Sequence, residues 1–470
     1  MGTPGREHAK EILEVAGGSR MKLSVIGCGY LGAVHAAAMA ELGHDVVGID
    51  TDSDKVASLQ MARPTFFEPH LPEILAAATA SGRLRFSTAI ADVVEPTVHF
   101  IAVGTPQMPD TRAADMSYVD AAIHGLLPYL SRGDLVVGKS TVPVGSAARL
   151  ARLVEDTGAT LVWNPEFLRE GFAVEDTIRP DRLVYGIPTG GQAAVGILNR
   201  VYAAAIAAGT PVVVTDYATA ELVKVAANAF LATKISFINA MAEISEVVGA
   251  DVTQLADAIG HDARIGRRFL NAGIGFGGGC LPKDIRAFTA RAEELGRGES
   301  VAFLKDVDAI NLRRRQRVVD LILDALGAEP VGKRVALLGL AFKPNSDDVR
   351  DSPALEVAAK LHEHGVTVVA TDPQAIDNAS RVLPKLEYVR SADEALEGAD
   401  VVVLATEWAE YRSLDPAQSA KLVNNPIIID GRNTLDPTAW KAVGWSYRGL
   451  GRGNDSVRAS ETKELEAVPS

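Results

Sequence analysis

Between residues 21 and about 215, short β-branched apolar runs alternate with longer stretches whose apolar positions recur at helical spacing. The runs at 23–26, 45–49, 98–103, 135–138 and 161–163 predict strands. Strands apolar on both faces and separated by helices predict a parallel sheet covered on each side. Near residue 216 the strand signal stops. Residues 220–248, rich in Ala and free of Gly and Pro, predict one long helix, and 301–326 predict a second. After a break at 327–332 the strand signal returns at 334–338, 367–370, 400–404 and 426–429, again with helices between. The expected fold class is α/β, with two doubly wound domains joined by a central all-helical region. The expected division is 1–20 extension, 21–215 first α/β domain, 216–326 helical domain, 327–450 second α/β domain and 451–470 polar tail.

Composition supports several soluble domains: 470 residues, 47% hydrophobic and 23% charged. The 47 Lys and Arg against 60 Asp and Glu give a net charge of −13, which argues against a nucleic-acid or anionic-membrane partner but leaves small anionic ligands open. The first 20 residues carry Glu11 and Glu14 and lack the apolar core of a secretory signal. No uninterrupted apolar run reaches the ~18 residues of a spanning helix, because the rich stretch 201–214 is broken by Gly209 and Pro211. No membrane partner is therefore expected. The two cysteines, Cys28 and Cys280, form no disulfide framework and fit a reducing cytoplasm.

The first strand runs into Gly27-Cys28-Gly29-Tyr30-Leu31-Gly32, a G-x-G-x-x-G sequence with a strand before it and a helix after it. In a Rossmann-like turn of this kind Gly27 permits the bend, Gly29 lets backbone approach a pyrophosphate, and Gly32 lets the helix pack closely. The phosphate charge then meets the helix N-terminus. Asp50 ends the next strand and can accept the ribose hydroxyls; no Arg or Lys lies between Val34 and Thr51 to receive a 2′-phosphate, so NAD is expected over NADP. Cys28, at a variable position of the turn, is read as packing.

The second α/β part begins in the same way, a strand ending in Gly339 and a next strand ending in Asp372, but the interval is longer, its extra residues falling in the polar segment 343–352. The turn Gly339-Leu340-Ala341-Phe342-Lys343 lacks the second and third glycines, so a different ligand is expected there. Lys343, Arg350 and Arg432 follow strand ends and would suit a diphosphate, or are solvated surface charges.

Five glycines fall between Gly273 and Gly279, just before Cys280-Leu281-Pro282-Lys283-Asp284. Such a segment is costly to order and is expected to bring backbone close to a ligand. Pro282 predicts a helix start, which sets the thiol at a helix N-terminus beside Lys283, where a thiolate is favoured. Lys224 and Asn228, four apart on the Ala-rich helix, share a face with Glu221. Lys139-Ser140-Thr141 and Asn164-Pro165-Glu166-Phe167-Leu168-Arg169-Glu170 each follow a strand and lie at the expected cofactor rim. Glu166 and Glu170 read equally as a base with a partner or as solvated acids. His35, His44, His70, His99 and His124 show no ligand spacing, and no metal is expected.

These motifs occur together and in order, and the chain from Met21 to about Gly449 resembles the UDP-glucose/GDP-mannose dehydrogenase family. The resemblance implies two Rossmann-like domains and an NAD site of Gly27, Gly29, Tyr30, Leu31, Gly32, Asp50, Lys55, Thr105, Thr141, Glu170, Lys283 and Arg350. It implies a nucleotide-sugar site of Glu166, Phe167, Leu168, Lys224, Asn228, Arg264, Phe276, Gly277, Cys280, Phe342, Lys343 and Arg432. Cys280, Lys224, Asn228, Asp284, Glu166 and Thr141 would be catalytic. Arg264 would reach a neighbouring subunit's substrate, although Ala263 departs from the family's usual Asp-Asp-Arg-Ile-Gly.

The implied reaction is a four-electron oxidation of UDP-glucose to UDP-glucuronate with two NAD, by way of a thiohemiacetal and a thioester on Cys280. GDP-mannose or a UDP-N-acetylhexosamine are alternative substrates within the family; a two-electron hydroxyacid dehydrogenase and a non-catalytic NAD-binding protein are more distant readings. Because the helix 220–248 is apolar on more than one face, a homodimer through it is expected.

Overall fold

A computed structural model describes residues 20–453, apart from 94, 96 and 109. The expected extension and nearly all of the polar tail therefore lie outside the described residues. The chain forms two compact units, Met1–Ala227 and Asn228–Ser470, whose boundary falls inside the central helix Tyr217–Val248.

In the first unit eight strands form one sheet: β1 (Lys22–Ile26), β2 (Asp45–Ile49), β3 (Leu84–Ser87), β4 (Val98–Ile101), β5 (Leu135–Gly138), β6 (Thr160–Trp163), β7 (Leu183–Gly186) and β8 (Val212–Thr215). Their order is β3-β2-β1-β4-β5-β6-β7-β8, and all pairs are parallel except β6 with β7, which meet antiparallel at Trp163 and Gly186. The period-two alternation of the strands supplies two cores. Leu23, Val25, Val98 and Phe100 face one layer of helices, while Ile26, Val47, Ile49 and Ile101 face the other. The chain reverses its direction of growth between β1 and β4, so the crevice at their carboxyl ends is where a doubly wound sheet binds its ligand.

The second unit repeats this plan with β9 (Arg334–Leu338), β10 (Thr367–Thr371), β11 (Glu387–Tyr388), β12 (Val401–Leu404), β13 (Ile427–Asp430) and β14 (Ser446–Gly449), ordered β11-β10-β9-β12-β13-β14 and all parallel. Both sheets thus share the doubly wound strand order. The same unit holds the helices Leu281–Glu294 and Phe303–Leu326.

The sequence pattern leaves out β3, β7, β8, β11 and β14; of these β3, β11 and β14 mix charged or polar residues with few apolar ones and so show no apolar run. The central helix has 32 residues. Alone among the described helices it is long and apolar enough to cross a membrane by length and composition. It carries Glu221, Lys224, Asn228, Ser236 and Asn239, all buried.

Candidate functional site

The glycine turn of the first unit is built as its spacing predicts. Gly27 adopts φ +89° and its N–H donates to Ile49 O at 2.8 Å, turning the chain back against β2. A Cβ at Gly32 would overlap the Gly27 carbonyl oxygen, so only glycine lets the helix Tyr30–Glu41 begin this close to β1. At Gly29, the residue capping that helix, a Cβ would meet nothing. The open side at a helix N-terminus is the feature a pyrophosphate requires, and it fits NAD.

Asp50 closes the turn from below: its carboxylate accepts from Cys28 N at 2.8 Å and Asp52 N at 3.0 Å, and Lys55 Nζ lies 3.0 Å from both oxygens. The lysine missing between Val34 and Thr51 thus stands just beyond, already paired with the acid. Cys28 is fully buried, its Sγ 3.6 Å from Ile49 O, and burial pushes its thiol up, as its packing role requires. The Tyr30 hydroxyl is bonded to the Glu68 carboxylate and accepts from Gly171 N at 3.2 Å. Glu68 also accepts from Gly171 N at 2.6 Å and Ala173 N at 2.7 Å, fastening the segment after β6 to the glycine-turn helix. Burial raises both groups, the tyrosine further through the neighbouring Glu68 charge.

At the same rim Thr105, after β4, donates to Thr141 O at 2.7 Å. Glu166, after β6, accepts from Leu168 N at 2.7 Å and from Lys224 Nζ at 2.9 Å. Lys224 is nearly fully buried and stands 5.7 Å from the Phe167 ring centroid, over which Arg182 stacks at 3.8 Å. Glu170 is buried, Leu168 half-buried, and Leu31 lines the same pocket as Lys139, Glu166 and Phe167. Glu221 does not join this cluster. Its carboxylate accepts from Gly145 N at 2.7 Å and Ala147 N at 2.6 Å and so caps the helix Ser146–Glu155.

In the second unit Cys280 is exposed and forms the N-cap of Leu281–Glu294, with Pro282 in its first turn. One turn on, the buried Asp284 accepts from Asn228 Nδ2 at 2.6 Å and pairs with Lys283 Nζ at 2.8 Å. Thiol, amide, carboxylate and ammonium therefore meet at one helix N-terminus.

The glycines before Cys280 bring backbone close to the chain itself. A Cβ at Gly277 would overlap Asp351 O, and one at Gly278 would lie 2.7 Å from the Phe342 ring, so the backbone closes on the chain's own 342–351 loop. The loop is fixed by residues that sequence reading missed. Asn311 accepts from Phe276 N at 2.7 Å and donates to Phe276 O at 2.9 Å. Arg315 Nη2 donates to the same carbonyl at 3.0 Å, while Asn239 Oδ1 accepts from Gly273 N at 2.9 Å. A fully buried Asn on a long helix is the one sign that could have flagged Asn311.

Arg432 donates to Gly275 O and Phe342 O at 3.0 Å each and to Ala405 O at 2.7 Å, so its guanidinium ties the cysteine loop to the turn after β9. Arg350 pairs with Asp348 at 2.7 Å, and Lys343 lies 5.2 Å from the Phe342 ring centroid. Arg264 is 89% exposed and meets only the neighbouring Asp262 among the described contacts.

Residues 21–206 match the NAD-binding domain of the UDP-glucose/GDP-mannose dehydrogenase family, 218–313 its central domain and 336–437 its UDP-binding domain. The chain is 40% identical to UDP-glucose 6-dehydrogenase of Rhizobium meliloti over 437 residues, which is 92% of this chain and all of that protein. It resembles the solved UDP-glucose dehydrogenase of Pyrobaculum islandicum with TM-score 0.83 and 39% identity, covering 93% of this chain and 98% of that one. With UDP-D-ManNAc dehydrogenase of Pyrococcus horikoshii the TM-score is 0.79 and the identity 27%, over 92% and 99% of the two chains. With the glycine turn and Asp50 in one unit, and the cysteine at its helix N-terminus in the other, the chain belongs to the UDP-glucose/GDP-mannose dehydrogenase family and is an NAD-dependent nucleotide-sugar dehydrogenase.

Proposed function

We propose that the protein oxidises UDP-glucose to UDP-glucuronate, with Cys280 as the nucleophile. The carrying observation is the exposed thiol at the N-terminus of Leu281–Glu294 with the Asn228–Asp284–Lys283 cluster one turn on. The choice of sugar rests on the higher identity to the UDP-glucose enzymes than to the UDP-D-ManNAc enzyme.

Gly27, Gly29 and Gly32 with the N-terminus of Tyr30–Glu41 would hold the pyrophosphate, Asp50 the adenosine ribose, and Thr105 and Thr141 the nicotinamide side. NAD, when bound, supplies the hydride acceptor for both oxidations. In the first, the C6 hydroxyl gives up its proton as hydride leaves carbon, producing the aldehyde. The Cys280 thiolate then adds to C6, forming a C–S bond, and Lys224 and Asn228 stabilise the oxyanion. Loss of the second hydride converts this thiohemiacetal to a thioester. Water, losing a proton to Glu166, attacks C6; the C–S bond breaks, thiolate leaves, and the acid formed loses its remaining proton to solvent as carboxylate. Lys343, Arg350, Arg432, Phe342 and the loop of Phe276 and Gly277 are the residues proposed for the nucleotide. Two cysteines outside any disulfide suit a cytoplasmic enzyme.

The enzyme is further read as a homodimer through the central helix. Phe230, Phe237 and Ile244, seven apart, form an exposed apolar stripe that a second copy of the same helix would cover. The exposed Arg264 would then complete the partner's substrate site.

The test is NADH yield with UDP-glucose, UDP-N-acetylhexosamines and GDP-mannose. Two NADH per UDP-glucose and no free aldehyde are expected; Cys280→Ala should abolish this yield. One NADH per sugar would end the mechanism, and preference for another nucleotide sugar would end the substrate assignment.

A further inference from the structure

Beneath the Asn164-Pro165-Glu166 segment lies a buried ammonium that none of these roles uses. Lys139 leaves β5 at its carboxyl end and is 6% exposed. Its Nζ donates to Asn164 Oδ1 at 3.1 Å and to the Tyr202 hydroxyl at 3.3 Å, and stands 5.7 Å from the Tyr202 ring centroid. Tyr202 in turn donates to Asn164 Oδ1 at 2.8 Å, and Asn164 Nδ2 donates to Val184 O at 2.9 Å. Both ends of the Asn164 amide are therefore held. Pro165, with its fixed φ, passes that constraint to Glu166.

A position needed only for packing would be filled at less cost by an apolar side chain, because a buried ammonium is strongly penalised. Among the described residues no carboxylate lies within ion-pair distance of Lys139. The acid whose charge it feels is Glu166. Glu166 already has an ion pair with Lys224, but the proposed chemistry also asks Lys224 to stabilise an oxyanion, so that pair cannot serve throughout the cycle. Lys139, held by neutral partners, can.

We infer that Lys139 is a positioning residue for Glu166: through Asn164 it fixes the segment carrying the carboxylate, and it keeps that segment in place when Lys224 turns to substrate. This rests on the reading of Glu166 as the base that activates water. The groups that face Lys139 are Glu166, Lys224 on the central helix, His35 on Tyr30–Glu41, and Tyr202, while Asp176 and Arg182 line the same pocket. Burial brings Lys139 down to about 8, with Glu166 opposing that shift and Lys224 adding to it, and burial keeps His35 neutral.

The experiment is kcat with UDP-glucose from about pH 5 to pH 10 for the unchanged enzyme, Lys139→Met, Glu166→Gln and the double variant. In Lys139→Met kcat should fall with KM for UDP-glucose and NAD little changed, and an alkaline limb near 8 should vanish. In the double variant the loss should equal that of Glu166→Gln alone. A parallel fall at every pH, or additive losses in the double variant, would overturn the inference. An unaltered profile in Glu166→Gln would instead overturn the reading of Glu166 as base, without reference to Lys139. Should Lys139→Met not fold, Tyr202→Phe removes the hydroxyl that Lys139 and Asn164 share; it should lower kcat with KM for UDP-glucose little changed, and an unaltered kcat would refute the role.

Discussion

At the end of β1 the chain enters its helix at Tyr30, within the glycine turn, whereas beyond β9 it runs through residues 340–352 before the helix Pro353–Glu363 begins. The acid that ends the second strand fares differently in the two settings. Asp50 accepts two backbone N–H groups and the mobile end of Lys55. Asp372 accepts from Leu340 N, Ala341 N, Gln374 N, Ala375 N and the Trp408 indole, and is buried. One strand order thus carries two chemistries. Where the helix starts in the turn, its N-terminus remains open and the acid, itself 9% exposed, serves only two backbone donors besides Lys55; where a loop intervenes, the acid is consumed in holding that loop.

The sharpest way to break this comparison is to remove both acids. Asp372→Ala should cost about 4 kcal/mol of stability, because four buried donors and the Gln374 N–H lose their acceptor, and should be read as loss of the folded second unit in denaturant unfolding. A stable variant with weakened NAD binding would contradict the assignment. Next in size is Gly32→Ala, whose methyl meets the Gly27 carbonyl: about 3 kcal/mol of stability and measurable NAD binding should be lost together in calorimetry.

Asp50→Ala should act mainly on cofactor, raising the NAD dissociation constant about thirtyfold, roughly 2 kcal/mol for a charged hydrogen-bond acceptor. It also frees Lys55 for a 2′-phosphate, so the preference for NAD over NADP should narrow, as competitive binding would measure. Equal loss of both cofactors would show Asp50 to be a brace of the turn only.

The gentlest test is acid. The first unit buries His35, His44 and His99, all pulled down by burial, His99 to about 4, while His362 and His364 of the second unit are exposed. A histidine lowered on folding gives stability that is complete above its unfolded value of about 6.5 and is lost as pH falls toward its folded value. Each should therefore cost the first unit up to about 1.4 kcal/mol per pH unit below 6.5. Hydrogen exchange at pH 7 and at pH 5.5 should show the core of β1 and β4 loosening before that of β9 and β12, and simultaneous loosening would refute it.

Much of this contrast was legible in the chain itself. The apolar runs marked both sheets because their central strands are buried on two faces, and the lengthened interval before Asp372 announced a different turn. What stayed hidden depends on distant side chains meeting. Glu68 carries no local pattern, yet it fastens the segment after β6. Arg432 was read as a partner for a diphosphate or as a solvated charge; its guanidinium reaches three carbonyls and Glu407. The five glycines before Cys280 signalled close approach, but not that the loop 342–351 is among the objects approached.

The pairing of Asn311 with both main-chain groups of Phe276 makes a side chain act as one rung of a ladder, with a helix in place of a neighbouring strand. A loop supported in this way is ordered before any sugar nucleotide arrives, and its conformational entropy has been surrendered to folding rather than to association. Affinity then answers to contacts alone, and replacing Asn311 would move that entropic debt from the folding reaction to the binding one.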